Sequence, residues 1–308
     1  MRARKSRFAA LASLLLTGAP LLLQSAEGAV PDPTYAEEIR VWREKRLERL
    51  KADTGYLALA GLYWLDEGEH TFGSDPSNRI VFPASAPPKA GVFVRQGATT
   101  TVRCLPGTAL RYEGKPVQEM TLVSDAQGKP MVLELGDLTF SLIARGDRFA
   151  IRLRDKQSPI RKNFRGIESF PIDTSYRVTA RFEPYEPAKK ILIASVVGTV
   201  DTMLSPGALV FTLNGQECRM DPVWEGPDDD SLWLIFSDAT SGAETYGDGR
   251  FLYTDLPQEG KVTVDFNKAY NPPCAFSPYT TCPLPPQQNE LPVPVRAGEK
   301  TYEDHASP

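Results

Sequence analysis

The polar and apolar positions of the chain divide it into one helical stretch and two long β-like stretches. Tyr35, Ile39, Trp42, Leu47 and Leu50 recur at helical spacing, with Glu37, Glu38, Arg40, Arg43, Glu44 and Lys45 on the other faces. They predict an amphipathic outer helix over residues 33 to about 54, with Trp42 in packing. Residues 56–65 are too apolar for a surface loop and read as a short buried helix or strand ending in the turn Asp66-Glu67-Gly68-Glu69. Beyond Gly68 the runs shorten and alternate: residues 70–72, 80–82, 91–95, 100–104, 110–112, 131–135, 138–144 and 149–153, separated by Gly, Pro, Asp and Asn. Short strands at this spacing predict an antiparallel sandwich or a partly open barrel. A second set, residues 176–182, 191–197, 200–204, 208–213, 217–220, 232–236, 251–253 and 261–266, predicts a further antiparallel sheet, with Leu213-Asn214-Gly215-Gln216 as a hairpin turn. The alternate prolines of Leu291-Pro292-Val293-Pro294-Val295 predict extended packing at a sheet edge, because proline cannot donate to a central ladder.

The expected fold class is therefore mainly β: an N-terminal amphipathic helix, an antiparallel β-sandwich, and a second antiparallel sheet or partly open barrel. The expected divisions are a helical segment at 29–67, a sandwich-like domain at 68–155, and a β-rich domain at 156–308 with a proline-rich end.

Ahead of these, Arg2, Arg4, Lys5 and Arg7 lead into an apolar run and then small residues, which reads as a secretory signal over 1–28 with cleavage near Gly28 or Ala29. No later segment offers a bilayer span, so the expectation is a soluble periplasmic or secreted protein with no retained transmembrane helix. Loss of those four basic residues and Glu27 takes the net charge from -4 to about -7. That balance argues against a nucleic-acid partner, which requires a basic footprint. In an oxidising compartment Cys104, Cys218, Cys274 and Cys282 permit two disulfides in any of three pairings, and Cys274 and Cys282 are close enough to staple a small loop. A zinc site built from the four is the weaker reading there, and no metal or other cofactor is expected.

The chemistry is narrowed by what the chain lacks. It has two histidines, His70 and His305, so a serine-histidine-acid triad would need His70, which reads as a turn or strand surface residue. There is no nucleophile elbow, phosphate-binding glycine loop or histidine-glutamate zinc helix. Asp228-Asp229-Asp230 reads as a solvated acidic turn rather than a calcium loop, and Lys156, Arg161, Lys162 and Arg165 as a solvated connection or a cationic edge for an anion. The best place for a site is residues 265–286, where prolines exclude regular structure and side chains must fix the shape. If its strand neighbours residues 236–250, Asp265, Asp238, Arg250, Asn267, Tyr270 and Asn271 converge. Arg250 would then clamp a carboxylate, Asn267, Tyr270 and Asn271 would contact the ligand, and Asp265, with Asp238 or another acid, would move protons. The competing reading is a buried polar network that holds the proline-rich loop.

Two resemblances sit beside this reading. Gly73-Ser74, residues 152–155 with Phe164, residues 236–240, Gly249-Arg250-Phe251-Leu252, residues 265–276, Cys282-Pro283-Leu284-Pro285-Pro286, Asn289 and Ala297-Gly298-Glu299 resemble the bacterial family catalogued as domain of unknown function 1684. That resemblance implies no reaction or substrate. Residues 71–83 resemble the opening of forkhead-associated sandwiches, but Ser74 stands where those place an arginine, so topology is implied and phosphopeptide binding is not. The sequence thus favours an extracytoplasmic ligand-binding or structural protein taking a small anionic, carbohydrate or cell-envelope ligand. The alternative is a hydrolase of carbohydrate or cell-envelope material working through Asp265.

Overall fold

The computed structural model describes residues 32–226 and 229–302; the expected signal at 1–28, Asp228 and His305 lie outside them. Helix α1, Pro33–Lys51, begins at Asp32, whose carboxylate accepts the Thr34 amide at 2.8 Å, and Pro33 occupies the first turn, where no intrahelical donor is needed. Tyr35, Ile39 and Leu50 are buried as the spacing predicts, but Arg46 joins them on the inner face. The ambiguous stretch after it is both things in turn: Tyr56–Ala58 forms one 3-10 turn and Leu59–Leu65 is strand β1.

The strands that follow are β2 (Gly68–Gly73), β3 (Ile80–Val81), β4 (Gly91–Gln96), β5 (Thr99–Cys104), β6 (Arg111–Tyr112), β7 (Lys115–Pro116), β8 (Glu119–Leu122), β9 (Leu133–Leu135), β10 (Leu138–Arg145) and β11 (Arg148–Asp155). They form a six-stranded sheet, β1-β11-β10-β9-β6-β7, and a five-stranded sheet, β3-β2-β4-β5-β8. Pairing is antiparallel except between β2 and β3, which run parallel. The inward side chains of both sheets make one core around Phe72, Phe93 and Phe140, with the Phe72 and Phe93 rings stacked 4.4 Å apart. His70 belongs to this buried set rather than to the surface: its Nε2 lies 2.9 Å from the Asp66 carbonyl, a partner the tight turn before β2 supplies. On β11, Ile151 and Leu153 enter the core, so the period of two turns Arg152 and Arg154 out of the opposite face.

A short helix α2, Pro159–Asn163, leads to the second half, with β12 (Arg177–Ala194), β13 (Val200–Leu213), β14 (Gln216–Met220), β15 (Ser231–Phe236), β16 (Arg250–Asp255) and β17 (Lys261–Asp265). These make a four-stranded sheet, β14-β13-β12-β17, and a hairpin, β15-β16; none of the sheets closes into a barrel. The pattern divides β12 and β13 into four strands, yet each is continuous. Their register shifts between Pro184 and Lys189, so the prolines that punctuate the sequence sit at an irregularity instead of ending a strand. Asn214 and Gly215 both take positive φ, as the tight turn joining β13 to β14 requires. The C-terminal segment runs extended beside the end of β15, bridged in parallel at Ser237 and Glu290, without forming a strand of its own: Leu291, Val293, Val295 and Ala297 are buried in the second core, alternating with Pro292, Pro294 and Arg296.

Candidate functional site

The side chains singled out by the sequence fall into two buried networks. Asp238 and Arg250 form an ion pair, Oδ2 to Nη2 at 2.8 Å, with both side chains fully buried. The other Asp238 oxygen accepts the Thr240 amide, the Thr240 hydroxyl and the Val295 amide, while Arg250 also donates to the carbonyls of Val295, Ala297 and Glu299. Gly249, at φ 84°, brings the chain into this clamp; a Cβ there would lie 2.4 Å from the Phe236 carbonyl oxygen. The terminal donors of Arg250 are thus spent on a carboxylate and a main-chain segment of the protein itself.

Asp265 caps the 3-10 turn Phe266–Lys268, and its Oδ1 accepts the Tyr35 hydroxyl at 2.8 Å and the Asn267 amide at 3.1 Å. Burial, followed by the Asp265 carboxylate, pushes the Tyr35 phenol well above its ordinary pKa. Asn267 bridges Tyr35 to both main-chain groups of Asp173, so this network docks α1 onto the second half. Asn271 is tied to the Lys300 carbonyl, and its amide donates to Glu299 at 2.7 Å, while Arg46 donates to the Asn271 carbonyl and pairs with Glu299. Burial, opposed by Arg46, pushes the Glu299 carboxyl up. Asp238 and Asp265 therefore face separate partners. Cys274 and Cys282 are disulfide-bonded, whereas Cys104 and Cys218 are free. Among the described residues no group of three His, Cys, Asp or Glu side chains could hold a metal ion, and no helix is long and apolar enough to cross a membrane. Arg161 and Lys156 of the predicted cationic connection face Asp53.

Tyr270 is the exception among the named residues, because it opens onto a cavity of about 760 Å³ between the two halves. One wall is the outer face of the first sheet, with Arg145, Arg152 and Arg154. The opposing hairpin supplies Trp233, Phe251 and Tyr253; α1 contributes Trp42, Arg46 and Arg49; and the disulfide loop adds Thr280, Thr281 and Cys282. Trp42 thus borders a cavity as well as packing, with its ring 6.3 Å from that of Tyr270. Trp233, Tyr253 and Tyr270 form a ladder of nearly parallel rings, successive centroids 6.1 and 6.3 Å apart.

The cavity is markedly cationic. Glu225 is its one lining carboxylate among the described residues, and it accepts the Tyr253 hydroxyl at 2.7 Å. Arg145 pairs with Asp125 at 2.8 Å. Arg145 Nε and Arg152 Nη2 donate to the same oxygen, Thr281 Oγ1, at 2.9 and 3.2 Å, which draws both guanidinium groups to one point. Arg152 has no carboxylate partner, and Arg154 has neither a hydrogen-bond nor an ion-pair partner, among the described residues; the Nε of each is buried and unpaired. Burial, reinforced by Arg145 and Arg154, lowers the Arg152 guanidinium to about 10, and burial lowers Arg154 too. Neither arginine stands out as a site residue in the sequence alone. The available signal was the alternation Ile151-Arg152-Leu153-Arg154, two long cations on the outward face of a strand whose other face is core.

Residues 162–300 match the family described as a protein of unknown function, DUF1684. An uncharacterized protein of Haloarcula marismortui, with a solution structure, is 32% identical over 47% of this chain and 81% of its own, at a TM-score of 0.40. A forkhead-associated domain of Chlamydia trachomatis is 18% identical over 32% of this chain and 95% of its own, with a TM-score of 0.21. Mycobacterium tuberculosis EmbR, solved in complex with a low affinity phosphopeptide, is 13% identical over 40% of this chain and 31% of its own, with a TM-score of 0.22. No curated protein matches the chain. The chain thus resembles the DUF1684 family from α2 to Lys300, a span that holds the aromatic wall and the disulfide loop, while β11 with its two arginines and the Gly73-Ser74 segment lie outside the match.

Proposed function

We propose that the protein binds a small anionic ligand in the cleft between its two halves. The observation that carries this reading is the pair Arg152 and Arg154, two neighbouring cations lining a roomy cavity, paired with no carboxylate among the described residues and each with a buried, unpaired Nε there. An uncompensated charge out of bulk water is costly, and a ligand carboxylate or phosphate would relieve that cost through charge-assisted, bidentate hydrogen bonds. Hydrolysis through paired carboxylates is less well supported, since it needs two acids facing one substrate and Glu225 alone lines the cavity among the described residues. The disulfide fits an oxidising compartment, so export with removal of residues 1–28 completes the reading.

Thermal unfolding of the mature protein at fixed ionic strength, against a panel of carboxylates, phosphates and sulfate, tests it. A ligand at 100 times its Kd stabilises the folded state by about 2.7 kcal/mol, and Arg152→Met with Arg154→Met should abolish that shift. A panel in which no anion exceeds the ionic-strength control would overturn the proposal.

A further inference from the structure

Resting on that binding reading, the ligand's own chemistry can be taken from the charge and ring content of the cleft. Apart from the exposed Arg49, the cations that line it divide into satisfied and unsatisfied. Arg145 is balanced by Asp125 at 2.8 Å, Arg46 by Glu299 at 3.2 Å and Lys268 by Glu38 at 2.6 Å. Among the described residues Arg152 and Arg154 have no such ion pair, Arg152 feeling only the charge of the Asp125 that Arg145 already holds, and they project from alternate positions of β11, so both stand on one face of one strand. Two adjacent positive charges in a partly desolvated wall call for two negative charges at one point. A monocarboxylate supplies one; a phosphomonoester supplies between one and a half and two at neutral pH, on three acceptor oxygens that match guanidinium forks. Thr281 adds a hydroxyl on the same wall, already drawn toward Arg145 and Arg152.

The facing wall is of another kind. The planes of Trp233 and Tyr253 are inclined by 11°, and those of Tyr253 and Tyr270 by 14°. Tyr253 keeps 40% of its surface exposed, and the buried Trp233 indole nitrogen has no acceptor among the described residues. A flat ring stacks on such a surface with about 1–3 kcal/mol per ring, as bases do on aromatic side chains. From these two walls we infer that the ligand is a phosphomonoester carried on a planar aromatic group. The arginines sit on the outer face of β11, outside the residue 71–83 segment that resembles forkhead-associated domains.

The test is isothermal titration of the mature, disulfide-intact protein at constant ionic strength with phenyl phosphate, adenosine 5′-monophosphate, inorganic phosphate and benzoate. Tryptophan fluorescence provides a second readout, since Trp42 and Trp233 line the cleft. At least one of the two ring-bearing phosphates should bind tenfold or more tightly than inorganic phosphate and benzoate. Its affinity should fall as pH drops below about 6, where the second phosphate proton returns. Arg154→Met should cost tenfold or more, and Tyr253→Ala should remove the preference over inorganic phosphate while leaving phosphate binding in place. Circular dichroism would establish that both variants fold. Benzoate binding as tightly as phenyl phosphate, with a flat profile between pH 5 and 8, overturns the dianion assignment but leaves the anion site standing. Inorganic phosphate binding as tightly as the ring-bearing phosphates overturns the aromatic assignment, and no binding by any anion overturns both this inference and the proposed function.

Discussion

Replacing Arg152 with methionine should make the ligand-free protein more stable, not less. Burial and two neighbouring arginines lower its guanidinium from the ordinary range to about 10, which means that the folded protein disfavours its charge at neutral pH. At about 1.36 kcal/mol per tenfold change, the displacement corresponds to roughly 3 kcal/mol. Methionine keeps the apolar stem but loses the hydrogen bond to Thr281, worth about 1 kcal/mol, so the net gain is about 2 kcal/mol. For a mature chain of this size, with an unfolding entropy of about 2.1 cal/mol/K per residue, that raises Tm by roughly 3–4 °C. Because the folded pKa of this base is depressed, the penalty is fully present below about pH 10 and fades above it, so the gain should be constant from pH 6 to 9. Differential scanning calorimetry without anions, in a non-coordinating buffer, measures it. A Tm that falls in Arg152→Met would refute the reasoning, because it would mean that Arg152 is already satisfied within the protein.

The remaining predictions separate scaffold from site. Asp238→Asn should cost about 3–5 kcal/mol in urea unfolding by leaving Arg250 buried without its counter-charge, yet leave anion affinity within twofold in the protein that remains folded. Cys274→Ser with Cys282→Ser opens a loop whose cysteines are eight residues apart, with a loss of roughly 2 kcal/mol; it should also weaken anion binding, because that loop carries Thr281 to Arg145 and Arg152. Tyr35→Phe should lower stability by about 1–3 kcal/mol, seen as earlier hydrogen exchange in α1, since Asp265 Oδ1 loses a donor and an Asn267 amide proton loses its acceptor. Glu299 gives a pH signature: its folded pKa is raised, so the folded protein holds that proton more tightly than the unfolded chain and stability declines as pH rises from about 4.5 through the raised value. Glu299→Gln should flatten that limb in a Tm series from pH 4 to 8, and an unchanged slope would show that other groups dominate it.

The residue 265–286 segment reads from sequence as a site for a physical reason. It concentrates polar side chains in a stretch that prolines keep out of regular structure, and the same composition serves a buried network equally well. Local sequence can show that Asp265 needs partners, but Tyr35 and Asp173, which meet it or its neighbour Asn267, are far away in the chain. Arg152 and Arg154 present the reverse case. They look like the solvated face of an outer strand, and only the packing of a second domain-sized unit over that face turns solvated charge into unpaired charge.

The sequence by itself determined the mainly β class, the N-terminal helix and the tight Asn214-Gly215 turn, because each follows from local periodicity or from backbone conformations open to few residues. It also brought Cys274 and Cys282 close enough to pair. Only the tertiary structure decided that β12 and β13 run unbroken past their prolines, that Asp238 is spent on Arg250, and that Arg152 and Arg154 face aromatic rings across a cavity. Those outcomes depend on which surfaces meet, and such contacts leave no periodic trace in either partner.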